Sequence, residues 1–242
     1  EAIRAYAATI GTAIAETLSL LPEAPSAAPA PPGAARHTVI LLTAEQGFAG
    51  TYNEQVFDAA QPLLDGDPDL FVIGERGALL AAERHRPPLW TGGMIAHPAQ
   101  AVPLVGRLTE ALFARIAASG APHVTVIHAA PVDAARFEVA VKRLVPFDYS
   151  RFPTPAHPTA PRLTLPPERL LALLVEEYIV AELIEAVMLA LAAENLARMR
   201  AMIAAHDNVS ETMEALVTSS RRLRQEEITE EIVELAAGRV RD

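Results

Sequence analysis

Residues 194–238 read ENLARMRAMIAAHDNVSETMEALVTSSRRLRQEEITEEIVELAAG, the far part of a run from about Pro167 to Val240 with no proline after Pro167 and no glycine before Gly238. Nothing in that run obliges a helix to stop. At 1.5 Å per residue such a helix would be roughly 110 Å long, whereas an ordinary globular helix has about 11 residues. Met202, Val209, Leu216 and Leu223 recur every seven residues, and Met199, His206, Met213 and Ser220 form a second row beside them. This is a coiled-coil-like seam, apolar in one row and thinning to polar in the other. Arg198, Arg200, Asp207, Glu211, Glu214, Arg221, Arg222 and Arg224 crowd the other faces. A helix of this length cannot bury its whole stripe on a small domain, so it requires a partner helix or a sleeve of other proteins.

Composition excludes several classes of function. The 242 residues suffice for one sizeable α/β domain and an extension. A net charge of −10 gives no electrostatic support for a nucleic-acid partner. Without cysteine there are no disulfides, no thiolate catalysis and no zinc-thiolate site. The most apolar helical stretch, residues 175–193, is interrupted by Glu176, Glu177, Glu182 and Glu185. Four carboxylates in lipid would be very costly, which argues against direct membrane insertion. No signal peptide is visible, since Glu1 opens the chain without a basic region. Lys142 is the only lysine against nineteen arginines, a bias we read as genomic.

In chain order, residues 1–21 predict a short helix with Ile3, Tyr6, Ala7, Ile10, Ile14, Ala15 and Leu18 at helical spacing. A stiff Pro/Ala-rich linker follows over 22–36. Strands are then expected at 37–42, 69–73, around Trp90, at 123–128 and at 137–146. Helices are expected at 53–64, 78–84 and 102–119, and a second proline-rich loop at 153–161. The alternation predicts an α/β fold whose sheet is largely parallel and ends in antiparallel strands.

Chemistry-bearing motifs are sparse. Gly47-Phe48-Ala49-Gly50 follows a strand but fits neither dinucleotide nor P-loop spacing, and reads as a tight structural turn. Gly74 and Gly77 read as turn residues. The seven histidines, His123 and His128 among them, lack the carboxylate-histidine spacing of a metal site and read as surface or strand-end residues. His206-Asp207 reads as a polar contact of the seam, and no serine lies in a Gly-x-Ser-x-Gly context. The reading therefore includes no catalytic residue, cofactor or metal.

The words of the long helix carry a resemblance. Residues 194–202, then Asp207-Asn208, then residues 224–234 closed by Gly238, resemble the C-terminus of the γ subunit of F-type ATP synthases. The family signature Ile-Thr-x-Glu-x-x-Glu-x-x-x-Gly is met at Ile228, Thr229, Glu231, Glu234 and Gly238, with departures at Arg221 and Arg239. More loosely, residues 43–53, TAEQGFAGTYN, resemble the family's strand-end motif, and Gly74-Glu75-Arg76-Gly77 stands where the family has Gly-Arg-Lys-Gly.

The resemblance implies a Rossmann-like parallel-sheet domain plus a very long C-terminal coiled-coil helix paired with an N-terminal helix. It divides the chain into the end of that N-terminal helix at 1–21, the linker at 22–36, the α/β domain at 37–162 and the long helix at 163–242. Some tens of N-terminal residues are expected to be missing relative to the family, and residues 1–21 are expected to pair antiparallel with about Leu174–Met199. The implied function is that of a non-catalytic rotary shaft, peripheral at the cytoplasmic face of a bacterial inner membrane. Its implied partners are the alpha and beta subunits of the catalytic head, the epsilon subunit and the membrane c-ring. Implied partner contacts are Arg224, Gln225, Thr229 and Glu231, with Arg198 and the row Met202, Val209, Leu216, Leu223. Two alternatives remain open at this point: a free-standing Rossmann-like ligand-binding protein or enzyme with a helical oligomerisation tail, and a diverged γ paralogue that does not assemble. The absence of a phosphate-cradling loop predicts that the isolated chain has no ATPase activity and binds ATP only weakly. Saturable micromolar binding in calorimetry, or turnover, would overturn the shaft reading.

Overall fold

The computed structural model describes residues 2–22, 37–119, 123–153 and 163–238. The linker expected over 22–36 and the loop expected over 153–161 thus fall, from 23 and from 154 onward, outside the described residues, as does Arg239. The elements are α1 (Ala2–Leu18), β1 (His37–Leu42), α2 (Tyr52–Leu64), β2 (Asp69–Ile73), α3 (Glu75–Glu83), β3 (Trp90–Gly92), α4 (Ala101–Ser119), β4 (His123–Pro131), β5 (Phe137–Val145) and α5 (Pro167–Gly238). They form two compact units, Glu1–Arg198 and Met199–Asp242.

In the first unit the strand order is β3-β2-β1-β4-β5. All neighbours are parallel except β4 and β5. Parallel strands need crossovers, so both faces of the sheet are covered and the central strands are apolar throughout. The alternation of side chains then sorts them. Ile40, Leu42, Phe71, Ile73, Val124 and Val126 form one core with Leu104, Val105, Leu108 and Leu112 of α4. Val39, Leu41, Val72, Ile127 and Ala129 form the other with Val56, Phe57 and Ala60 of α2 and Ala81 of α3.

Helix α5 contributes to both. Ile179, Leu183, Ala186, Val187 and Ala190 belong to the α4-side core, whereas Ala193 and Ala197 belong to the α2-side core. A third cluster joins Ala7, Ile10, Ile14 and Leu18 of α1 to Leu171, Tyr178 and Ala181 of α5. The two helices are antiparallel, because Arg4 reaches Glu185 at 2.6 Å whereas Gly11 lies against Tyr178. The α1 partner is therefore residues 171–185, and the expected span to Met199 is corrected: beyond Glu185 the inner face of α5 is taken by the sheet. Gly11 allows the close approach, since a Cβ there would stand 3.1 Å from the Phe152 ring. Phe152 stacks on Phe147 with ring centres 5.5 Å apart, and both meet the Tyr178 ring edge to face.

One helix starts earlier than its periodicity suggests. Helix α3 begins at Glu75, not 78, so Gly77 lies inside its first turn rather than in a loop. That a glycine stands inside the helix has a tertiary reason: a Cβ on Gly77 would sit 1.9 Å from Thr43 Oγ1 and 2.3 Å from Thr43 Cβ. Gly74 is a true turn residue, with φ of 108°. Two helical glycines are therefore predicted to respond with opposite signs. Gly77→Ala should lose about 1–3 kcal/mol through overpacking. Gly106→Ala, in α4 with nothing within 4 Å of the new Cβ, should gain roughly 0.5–1 kcal/mol from helix propensity. Urea unfolding midpoints of the two variants check both.

Candidate functional site

In an open parallel sheet, ligands bind beyond the carboxyl ends of the strands where the strand order reverses. Here that point lies between β1 and β4, and the loop after β1 is residues 43–51. The chain's own groups occupy it. Asn53 Oδ1 accepts from the Ala44 N–H at 2.9 Å. The Glu45 carboxylate accepts from the N–H of Met94 at 2.7 Å and of Glu75 at 3.1 Å, joining the loop to the start of α3 and the end of β3. Glu194 of α5 accepts from the Gln46 N–H at 3.4 Å, and Arg198 donates to the Gly47 carbonyl at 3.4 Å. Glu194 and Arg198 are also paired with each other. Tyr52 donates its hydroxyl to the Ala190 carbonyl at 3.3 Å. Burial, and then the Glu194 charge, push the Tyr52 phenol far above its ordinary value, so it acts only as a neutral donor.

Glu194 is 3% exposed. A buried carboxylate is stable only when paired and hydrogen-bonded, and Arg198 with the Gln46 amide supplies both. The amides of Gln46, Glu75 and Met94 are thus taken by Glu194 and Glu45. The chain's own side chains fill the crevice beside the turn at 47–50. Sequence reasoning singled out Arg198 but missed Glu194 and Glu45. The four-residue spacing of Glu194 and Arg198 was the available signal.

Three of the four carboxylates that interrupt the apolar stretch of α5 are fastening points. Glu177 accepts from the Tyr6 hydroxyl at 2.7 Å, and Glu185 pairs with Arg4 of α1. Glu182, 5% exposed, pairs with Lys142 of β5 and with Arg151 at 3.3 Å. Burial, with the Arg151 charge, holds the Lys142 ammonium below its usual range against the opposing pull of Glu185. His128 is not a surface histidine: it lies buried inside β4, and burial holds its imidazole below the ordinary value. Among the described residues no group of three or more histidine, aspartate or glutamate side chains could hold a metal.

The second unit is helical throughout its described length, and every side chain from 202 to 234 is exposed. Met202, Val209, Leu216 and Leu223 are 49%, 65%, 65% and 57% exposed, so the apolar row is bare within this chain. Further along, Ile228, Ile232 and Val233 are also exposed. Because Ile228 lies five residues past Leu223, the apolar stripe shifts round the helix there, which a strict seven-residue count overlooks. The side chains of Arg224, Gln225 and Glu231 are exposed on the helix. Thr229 turns its hydroxyl back onto the Gln225 carbonyl at 2.7 Å. Thr212 and Thr218 do the same to the Asn208 and Glu214 carbonyls.

Removing the buried carboxylate tests the closed crevice. Glu194→Ala leaves the Gln46 amide without its acceptor and Arg198 without its carboxylate, and should cost about 1–3 kcal/mol. Glu226→Ala breaks only an exposed pair with Arg222 and should stay within about 0.5 kcal/mol. Chemical denaturation of both variants under identical conditions gives the comparison.

A family model described as ATP synthase matches residues 1–239. The chain is 28% identical over 221 residues to the ATP synthase gamma chain of Frankia casuarinae, covering 86% of this chain and 74% of that protein. It is 30% identical over 219 residues to the ATP synthase gamma chain of Beutenbergia cavernae, covering 84% and 72%. In fold it is similar to a chain of the Euglena gracilis mitochondrial ATP synthase, solved with its OSCP, F1 and c-ring parts in rotational state 3. The TM-score is 0.67 at 14% identity, over 98% of this chain and 90% of that one. A chain from the rotor of the same assembly in rotational state 1 gives 0.62 at 13% identity, over 94% and 95%. With the signature residues on a long helix and an α/β unit whose ligand crevice is closed, this chain belongs to the γ-subunit family of F-type ATP synthases.

Proposed function

We propose that this chain is the central rotary shaft of an F-type ATP synthase. It couples ion-driven rotation of the membrane ring to conformational change in the catalytic head. The observation that carries this reading is the described part of the second unit from residue 202 onward: one uninterrupted helix whose apolar and charged residues are all exposed. Exposed contiguous apolar surface marks an interaction site, and this one suits a sleeve of surrounding subunits. The filled crevice of the first unit supports a non-catalytic role, with nucleotide chemistry left to those subunits.

The partners we assign are the alpha and beta subunits around the helix, and the epsilon subunit and c-ring at the α/β unit. We assign Arg224, Gln225, Thr229 and Glu231 as contacts for loops of the head, a reading that their exposure supports. Arg198 differs from them in also holding Gly47 and Glu194 of its own unit. Among the described residues no helix is long and apolar enough to cross a membrane; as part of the shaft reading we assign the chain a peripheral place at the cytoplasmic face of the membrane.

Two measurements test the reading. Changing Arg224 and Gln225 together to Ala should impair assembly or turnover of the complex while shifting the isolated chain by no more than about 0.5 kcal/mol. A large stability loss in the isolated chain would make them structural residues instead. In hydrogen exchange on the isolated chain at low concentration, residues 202–234 should exchange far faster than the sheet. Exchange as slow as that of β1 in a monomer would overturn the assignment of this helix as a partner-binding surface.

A further inference from the structure

A cavity of about 940 Å³ opens at the end of the sheet opposite the filled crevice. His37 starts β1 and His123 starts β4, and the parallel register sets them side by side with ring centres 6.0 Å apart. Thr125, on the same face, lies 2.9 Å from His37 Nε2 through its hydroxyl. Arg143 of β5 is opposite Thr125, just after a bulge at Val124/Thr125. Bulges re-aim side chains at the rims of sheets and beside functional sites.

The charges round this cavity do not balance. Of the other titratable groups lining it, Lys142 and Arg151 are engaged by Glu182. Asp148 keeps its negative charge, held low by the hydroxyl and amide of Ser150 and by the Arg151 charge, and offsets one cation only; Tyr149 is neutral, its phenol raised by burial. His37, His123 and Arg143 have no carboxylate partner among the described residues. Burial and the neighbouring His123 and Arg143 charges hold the His37 imidazole below its ordinary value, so an anion that neutralised them would raise it. Two imidazoles at this spacing could grip a transition metal. The adjacent guanidinium repels a cation, however, and no third ligand is at hand among the described residues.

We propose that this cavity binds a small dianion of the phosphate class, held by Arg143 and by His37 and His123 in their protonated forms. Protonated His37 donates to the Thr125 hydroxyl, which frees that hydroxyl's own proton for an oxygen of the ligand. Nothing in this depends on assembly into a larger complex.

Sulfate is the first probe, because it remains a dianion across the range in which histidine titrates. The ring resonances of His37 and His123 in the full 242-residue chain, assigned with His37→Gln and His123→Gln, are followed during sulfate titration at pH 5.5 and 7.5. The expected result is a saturable shift of both rings and a rise in both titration midpoints. Affinity should be higher at pH 5.5, by roughly tenfold for each unit that a midpoint rises. Arg143→Gln should weaken binding at least about tenfold, the effect of a charge-assisted contact, while Arg143→Lys should retain most of it. Competition at pH 7.5 distinguishes the source. Displacement by inorganic phosphate alone assigns a free anion, and equal displacement by ADP assigns a terminal phosphoryl group; either supports the site. Unshifted rings, pH-independent affinity, Arg143→Gln with unchanged affinity, or stoichiometric zinc binding in preference to sulfate would each overturn it.

Discussion

Helix α5 comes closest to the sheet where its inner face is thin. That face is built from Ala186, Ala190, Ala193 and Ala197, all nearly inaccessible to solvent. With no side chain beyond Cβ, the helix backbone comes close enough for Tyr52 to bond the Ala190 carbonyl. Leu183 and Val187 fill the space on the α4 side, each burial worth roughly 1.5–3 kcal/mol. A larger residue at 190 or 193 would lift the helix off the strand ends and open the space that Glu194 closes. The docking of α1, the closed crevice and the fastening of β5 all depend on this contact being made.

Charge does the complementary work. In a chain of net charge −10, the inner carboxylates of α5 are placed against cations from three different segments: Arg4 of α1, Lys142 of β5 and Arg151 after it. Buried ion pairs add little net stability compared with apolar residues, but an unpaired member is heavily penalised. Such pairs therefore select one register of helix on sheet, since a slip by one residue would carry Glu182 away from Lys142 and Arg151.

Much of the fold was legible in local patterns. The runs HTVILL and DLFVI read as buried parallel strands because both their faces are apolar, and both are strands in the structure. The long helix was legible because nothing interrupts it. What local patterns could not convey was tertiary. Gly77 looks like a turn residue, and only the position of Thr43 shows why a helical residue there has to be glycine. The carboxylates of residues 176–185 served to exclude a membrane span, but their partners stand far away in sequence, as with Arg4 and Glu185. Within the candidate site Arg198 was reached through a motif, while Glu194 was missed because its role exists only once the loop after β1 is folded beneath it.

The three threonines that bond back onto their own helix bear on its mechanics. In a proline-free helix no single hinge exists, and an applied twist spreads as elastic strain over the ladder of backbone hydrogen bonds. At Thr212, Thr218 and Thr229, however, the carbonyl four residues earlier takes a hydroxyl as well as an amide. Such shared acceptors soften and bend helices locally. The exposed segment is therefore a rod of graded compliance, stiffest between these points and most yielding at the carbonyls of Asn208, Glu214 and Gln225, the last directly beside Arg224.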